Sequence, residues 1–261
     1  MTLTPRVDSG PGAVALATRG LCKQFGGISA THDVTLSLAH GARQALIGPN
    51  GAGKTTLVNL ITGMLEPSAG TIELDGEDIT HLPTHRRAQR GLVRTFQINQ
   101  LFAEFTPLET IALVCAQRAG VGARMLRSLG RLSTVVDEAA ALLVQFHLGD
   151  VMHRKVRELA YGKRRLLEIA VAVAGRPRVL LLDEPVAGVP AGESSEILDT
   201  LAALPADVTV LLIEHDMDLV FRFATRISVL VGGALLVEGP AEAIARDPRV
   251  KAVYLGEASL A

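Results

Sequence analysis

Gly48-Pro49-Asn50-Gly51-Ala52-Gly53-Lys54-Thr55 satisfies the spacing G-x-x-x-x-G-K-[ST], with Thr56 following directly. The residue types explain the spacing. Glycines let the backbone curl until successive N–H groups point inward at phosphate oxygens. A helix that opens at the end of the loop adds the positive end of its dipole. Lys54 has the reach for β- and γ-phosphates, and the Thr55 hydroxyl is a hard oxygen ligand suited to Mg²⁺. Such a loop needs a carboxylate at the end of a buried strand. Val179-Leu180-Leu181-Leu182-Asp183-Glu184-Pro185 supplies one. Asp183 would hold Mg²⁺, directly or through water. Glu184, one step further at the strand mouth, would polarise a water towards the γ-phosphate. A glycine turn into a helix, or a strand ending in charge, is commonplace alone. Together they point to a nucleoside triphosphate, with ATP and Mg²⁺ as the expected ligands.

These groups need a sheet to present them. Gln44-Ala45-Leu46-Ile47 is a short apolar run ahead of Gly48, and Lys54 to Thr62 continues in a helical pattern. Val179 to Leu182 and Val208 to Ile213 are apolar without alternation, which suits parallel strands covered on both faces. Thr71-Ile72-Glu73-Leu74-Asp75-Gly76 alternates and ends in Asp-Gly, a hairpin signal for a small antiparallel element. Ile227 to Val237, broken by Gly232-Gly233, predicts a second hairpin. From about 101 to 174 the pattern turns helical, with Val135 to Phe146 amphipathic. The class is α/β, a sheet core interrupted by a helical block.

Composition narrows the setting. The chain has 261 residues and a net charge of -1, which argues against a protein held on nucleic acid by a broad basic surface. Hydrophobic residues make up 48% and mean hydropathy is +0.31, yet aromatics are 3% with no Trp. Either a Leu/Val-rich α/β core or a membrane-protein partner accounts for that apolar content. No apolar stretch reaches the ~18–20 residues of a membrane span. Met1 to Gly12 is polar with two prolines, so a loose tail over 1–13 is expected rather than a leader. Cys22 and Cys115 make no disulfide framework. A cytosolic chain is expected.

The residues now reach a family. Asp183-Glu184-Pro185 followed by Ile213-Glu214-His215-Asp216, with Leu159-Ala160-Tyr161-Gly162-Lys163 ahead of them and Arg94-Thr95-Phe96-Gln97 earlier still, resembles the ATP-binding cassette (ABC) proteins. Gly91 to Gln97, Thr106-Pro107-Leu108-Glu109-Thr110-Ile111, Leu167-Glu168-Ile169-Ala170 and the tail Pro248 to Ala258 are similar to the ATPases of branched-chain amino acid transporters. The resemblance implies a RecA-like phosphate-loop nucleotide hydrolase core over 14–258, with a helical subdomain near 101–174 and a family-specific segment near 239–258. It implies that Phe25 stacks on adenine and that Gln97 meets Mg²⁺ and the attacking water. It also implies that His215 contacts the γ-phosphate. Ala160, Tyr161, Gly162 and Lys163 form the signature segment, which caps ATP bound to a second cassette.

It further implies two membrane permease subunits, a sibling or identical cassette, and an extracytoplasmic solute-binding protein, with this chain peripheral on the inner membrane face. Two departures stand out. Ala160 replaces the usual signature Ser, and Gly188-Val189-Pro190 lacks the usual D-loop Asp, which normally links the two sites of a dimer. The rival readings are a soluble or regulatory ABC ATPase and a phosphotransferase. The second would not explain the signature segment or His215. Two weaker features remain. His85 to Arg90 is expected to be a solvated helix face. Leu101, Phe102 and Phe105 are expected either in the core of the helical block or as a groove for a permease helix.

Overall fold

A computed structural model describes residues 13–95, 101–120 and 133–256. The expected tail, apart from Ala13, and Gln97 lie outside the described residues. In chain order the elements begin with β1 (Val14–Phe25), β2 (Ile28–Ala39), β3 (Arg43–Ile47), α1 (Lys54–Thr62), β4 (Ala69–Leu74) and β5 (Glu77–Asp78). There follow α2 (Thr84–Gln89), β6 (Leu92–Arg94), α3 (Pro107–Arg118), α4 (Ser133–Gln145), α5 (Tyr161–Ala174), β7 (Val179–Asp183) and α6 (Ala191–Ala202). The chain closes through β8 (Thr209–Ile213), α7 (Met217–Phe223), β9 (Arg226–Val231), β10 (Ala234–Pro240), α8 (Ala241–Arg246) and α9 (Pro248–Gly256). The described residues divide into two compact units. One holds 13–94, 178–184 and 205–256; the other holds those of 95–177 together with 185–204.

The first unit carries two sheets. A six-stranded sheet runs β10-β9-β3-β8-β7-β6, with parallel pairing from β9 through β6 and β10 antiparallel at one edge. Every residue of β7 and β8 is buried, as the run of four apolar residues in each leads one to expect. A four-stranded antiparallel sheet runs β2-β1-β4-β5. The Asp-Gly signal is a two-residue turn, with Asp75 at φ 50° and Gly76 at φ 77° joining β4 to β5. The long strands β1 and β2, which complete that sheet, were not anticipated. Leu16, Leu36, Leu46, Leu57, Ile61, Ile72, Leu181 and Leu211 belong to one core shared by both sheets and α1. Burying each such side chain stabilises the fold by roughly 1.5–3 kcal/mol.

The register fixes where chemistry can occur. Leu46 of β3 pairs with Ile213 of β8, which pairs in turn with Asp183 of β7. The carboxyl ends of three adjacent strands therefore lie side by side, the place where open α/β sheets bind ligands.

The second unit is helical. It contains α3, α4, α5 and also α6, a segment beyond the block expected over 101–174. Thr106 caps α3 with a complete capping box to Glu109. Val135, Ala139 and Leu143 form the buried face of α4. Phe102 and Phe105 are exposed, with ring centroids 5.1 Å apart, so the core reading fails for both.

The basic cluster His85 to Arg90 is corrected at one position. Arg87 is buried, donating to the carbonyls of Leu60 and Ile61 at the end of α1 and to those of Thr80 and Leu82. Those four acceptors replace the water that a solvated face would have supplied.

Candidate functional site

The loop between β3 and α1 is shaped by close backbone approaches. A Cβ at Gly48 would collide with the carbonyl oxygen of Leu230. Gly53, at φ 98°, would bring a Cβ within 2.5 Å of the Ala30 carbonyl oxygen. Only glycine fits either position. The loop is pinned from below: Gly233 N–H donates to the Ala52 carbonyl at 2.9 Å, and Leu57 N–H to that of Gly53 at 2.9 Å. Lys54 Nζ folds over the loop, donating to the carbonyls of Gly48 at 2.5 Å and Pro49 at 3.0 Å. Thr55 is exposed on the first turn of α1, with Thr56 beside it half-buried. Curled loop, lysine and helix start thus stand together as the motif predicts.

At the end of β7, Asp183 is buried and ion-paired with Arg94, Nη2 to Oδ2, at 2.5 Å. The other arm of Arg94 donates to Asn59 Oδ1 on α1 at 2.6 Å. Sequence reasoning noted Arg94 but missed its partner. The register supplies the missing signal. Arg94 pairs with Leu181, and Asp183, two residues on, lies on the same face of β7 as Leu181.

Glu184 is the first residue past β7. Its N–H donates to the Ile213 carbonyl at 2.9 Å, and its backbone sits at φ 46°, in the left-handed region. That conformation costs a non-glycine residue on the order of 1–3 kcal/mol and concentrates at functional sites. Its Oε1 lies 3.7 Å from His215 Nδ1, an ion-pair distance and too long for a hydrogen bond. His215 is exposed, whereas Glu214 beside it is 1% exposed. Glu214 Oε2 accepts the His215 backbone N–H at 3.1 Å and lies 3.7 Å from Nδ1 of the same residue. Its other oxygen, Oε1, is buried and accepts no hydrogen bond among the described residues. Burial pushes the Glu214 carboxyl up from its ordinary value, and the nearby charge of Glu184 adds to the rise. Asp216 caps α7, accepting from the N–H groups of Asp218 and Leu219. Phe25 closes β1 with an exposed ring, which rules out the core reading. The Lys23 ammonium lies 5.2 Å from its centroid.

The helical unit carries the segment 160–163. Ala160 stands at the N-cap of α5 and offers no side-chain cap. Gly162 N–H donates to Glu193 Oε2 of α6 at 3.1 Å, and the Tyr161 hydroxyl to the Ala187 carbonyl at 3.1 Å. Lys163 is paired with Glu196 at 2.9 Å and also donates to the His147 carbonyl. Further along α5, Arg165 is 3% exposed. It bonds Glu168 at 2.7 Å and the carbonyl of Pro185, the residue after Glu184 in the chain, at 2.8 Å. None of these partners was foreseen, because most depend on how α5 meets α6 and the turn before it.

Fold and site define a phosphate-loop nucleotide-binding α/β protein. Comparison with known proteins then carries the assignment further. Residues 31–187 match the family model of the ABC transporter, and residues 234–259 match that of the branched-chain amino acid ATP-binding cassette transporter. The chain belongs to the ABC transporter family, as an ATP-binding subunit of the kind that couples ATP hydrolysis to transport. It is 41% identical to the high-affinity branched-chain amino acid transport ATP-binding protein BraF of Pseudomonas aeruginosa, over 93% of this chain and 98% of that protein. It is 40% identical to the corresponding LivG of Escherichia coli, over 93% and 98%. Among solved structures it resembles the ADP conformation of MJ1267, an ATP-binding cassette of an ABC transporter. The TM-score is 0.78 at 31% identity, covering 93% of this chain and 99% of that one.

Proposed function

We propose that this chain energises the import of branched-chain amino acids, or related small solutes, as the ATP-hydrolysing subunit of a membrane transporter. The observation that carries the reading is the shared carboxyl edge of β3, β7 and β8, from which Lys54, Asp183, Glu184 and His215 all emerge. The substrate class is supported by the segment 234–259 and by the names of the relatives.

In this reading Phe25 takes the adenine ring. The N–H groups of residues 48 to 56 and the Lys54 ammonium take the phosphates. Glu184 orients a water against the γ-phosphate and accepts its proton, and His215 contacts that phosphate from the β8 side. Ala160, Tyr161, Gly162 and Lys163 face the nucleotide of a second cassette. The missing Ser hydroxyl leaves backbone donors to do that work. Gln97 completes the set from outside the described residues.

The donor set also fits Mg²⁺. Thr55 offers a hydroxyl and Asp183 a carboxylate. Among the described residues no three His, Cys, Asp or Glu side chains gather to hold a metal. An ion here would therefore take much of its shell from phosphate and water, as Mg²⁺ prefers. When bound, it neutralises charge on the β- and γ-phosphate oxygens.

Among the described residues no helix is long and apolar enough to cross a membrane. Attachment to the inner face would therefore come through permease subunits, with a solute-binding protein on the far side and no nucleic acid involved. Co-purification from gently solubilised native membranes tests this. Two integral membrane proteins and a cassette partner are expected with the tagged chain. Recovery only as a soluble dimer, or on ribosomes or nucleic acid, would overturn the transport reading.

A further inference from the structure

The carboxylate read as the metal's protein ligand already holds a cation. Asp183 and Arg94 have side chains 9% and 10% exposed, and their oxygen and nitrogen stand 2.5 Å apart. Such a contact is a charge-assisted hydrogen bond in a poorly solvated setting. The guanidinium is anchored on its other arm by Asn59, a residue of the phosphate-binding helix α1. Its backbone is anchored by pairing with β7. Arg94 is therefore held in place independently of Asp183, and the carboxylate is oriented by it.

We propose that Arg94 is the resident cation of Asp183. It neutralises and orients that carboxylate while nucleotide is absent, so that a divalent ion is bound only when phosphates come with it. The proposal rests on the reading of Asp183 as the magnesium carboxylate. The physical reason is the cost of taking a counter-charge from a buried carboxylate. Removing the guanidinium alone is strongly destabilising, whereas removing both charges at once is far better tolerated. A carboxylate already neutralised by a fixed guanidinium gains little from free Mg²⁺. One deprived of it becomes a cation site in its own right. Arg94 is a positioning residue in this scheme and touches no reacting atom.

Thermal unfolding of the full chain without nucleotide, with and without millimolar MgCl₂ at matched ionic strength, tests this. The parent chain should show the same Tm in both. Arg94→Met should unfold several degrees lower and recover a large part of that loss when Mg²⁺ is added. Arg94→Met combined with Asp183→Asn should regain stability without magnesium and respond to it no more than the parent. An Arg94→Met chain indifferent to Mg²⁺, or a double variant no more stable than Arg94→Met, would overturn the proposal. Should Arg94→Met fail to fold, the comparison passes to Arg94→Lys, which should fold and stay insensitive to Mg²⁺, and to the double variant, whose folding would show that the carboxylate left without its guanidinium was the fault. A separate measurement isolates the underlying reading. Binding of a fluorescent ATP analogue should gain affinity from Mg²⁺ in the parent and lose that gain in Asp183→Asn. If the gain persists, the metal assignment of Asp183 fails, whatever the unfolding data say of Arg94.

Discussion

Glu184 and Glu214 show two ways in which one residue departs from its ordinary state at this sheet edge. Glu184 holds a backbone conformation that suits glycine, so its carboxylate is delivered to the edge at the expense of local strain. Glu214 is almost wholly buried one residue before His215, and burial favours its neutral form. A carboxyl whose pKa is raised by folding contributes stability that is complete below its unfolded value. That contribution is lost as pH rises through the folded value. Glu214 therefore makes the chain less stable as pH climbs above about 4.3. Glu168, raised by burial in the helical unit, acts in the same sense. Glu214→Gln should flatten part of the decline of Tm with rising pH, and a slope identical to that of the parent would exclude Glu214 as a contributor. The grouping of these residues at one sheet edge was legible in advance, Lys54, Asp183 and Glu184 from the motif and strand-end pattern and His215 from the family resemblance. Their neighbours were not, because Glu214 looks like any strand-end acid until its burial is known.

At the scale of elements, legibility follows periodicity. β7 and β8 read directly, since each carries four consecutive apolar residues bounded by turn or charge signals. β2 carried a signal that went unused: Val34, Leu36 and Leu38 are buried and alternate with Asp33, Thr35 and Ser37, which are exposed. The polar His32-Asp33 pair obscured it. Contacts between elements were beyond reach, and the join of α5 to α6 is the most consequential. Gly162 N–H, expected to receive a phosphate from a second cassette, instead holds the carboxylate of Glu193. A carboxylate at that helix start does what an incoming anion would do. In the proposed dimer, ATP-driven closure would have to displace it. In a Glu184→Gln background, which should trap closed dimers, Glu193→Ala is expected to lower severalfold the ATP concentration at which light scattering detects them. A midpoint equal to that of the parent background would mean that Glu193 and the phosphate do not compete.

For the whole molecule, the high hydropathy has a plain internal explanation. β7 and β8 are entirely buried, and the shared core is built mostly from Leu, Val and Ile. Stability is not spread evenly over that core. Arg87 closes the far end of α1 by donating to the carbonyls of Leu60 and Ile61, while the glycine loop proposed to take the phosphates lies at the near end of the same helix. Arg87→Met would remove a donor from three buried carbonyls and from the half-buried one of Leu82, and should destabilise the chain by about 3 kcal/mol or more in denaturant unfolding. Arg86→Met and Arg90→Met should stay within about 0.5–1 kcal/mol of the parent. The contrast bears on how variants of this chain are read. By sequence alone His85 to Arg90 reads as one solvated basic face. A scan of every substitution would instead find tolerance at 86, intolerance at 87 and tolerance again at 88 to 90. A variant at position 87 would thus disturb the helix that follows the glycine loop from its opposite end, without touching the loop itself.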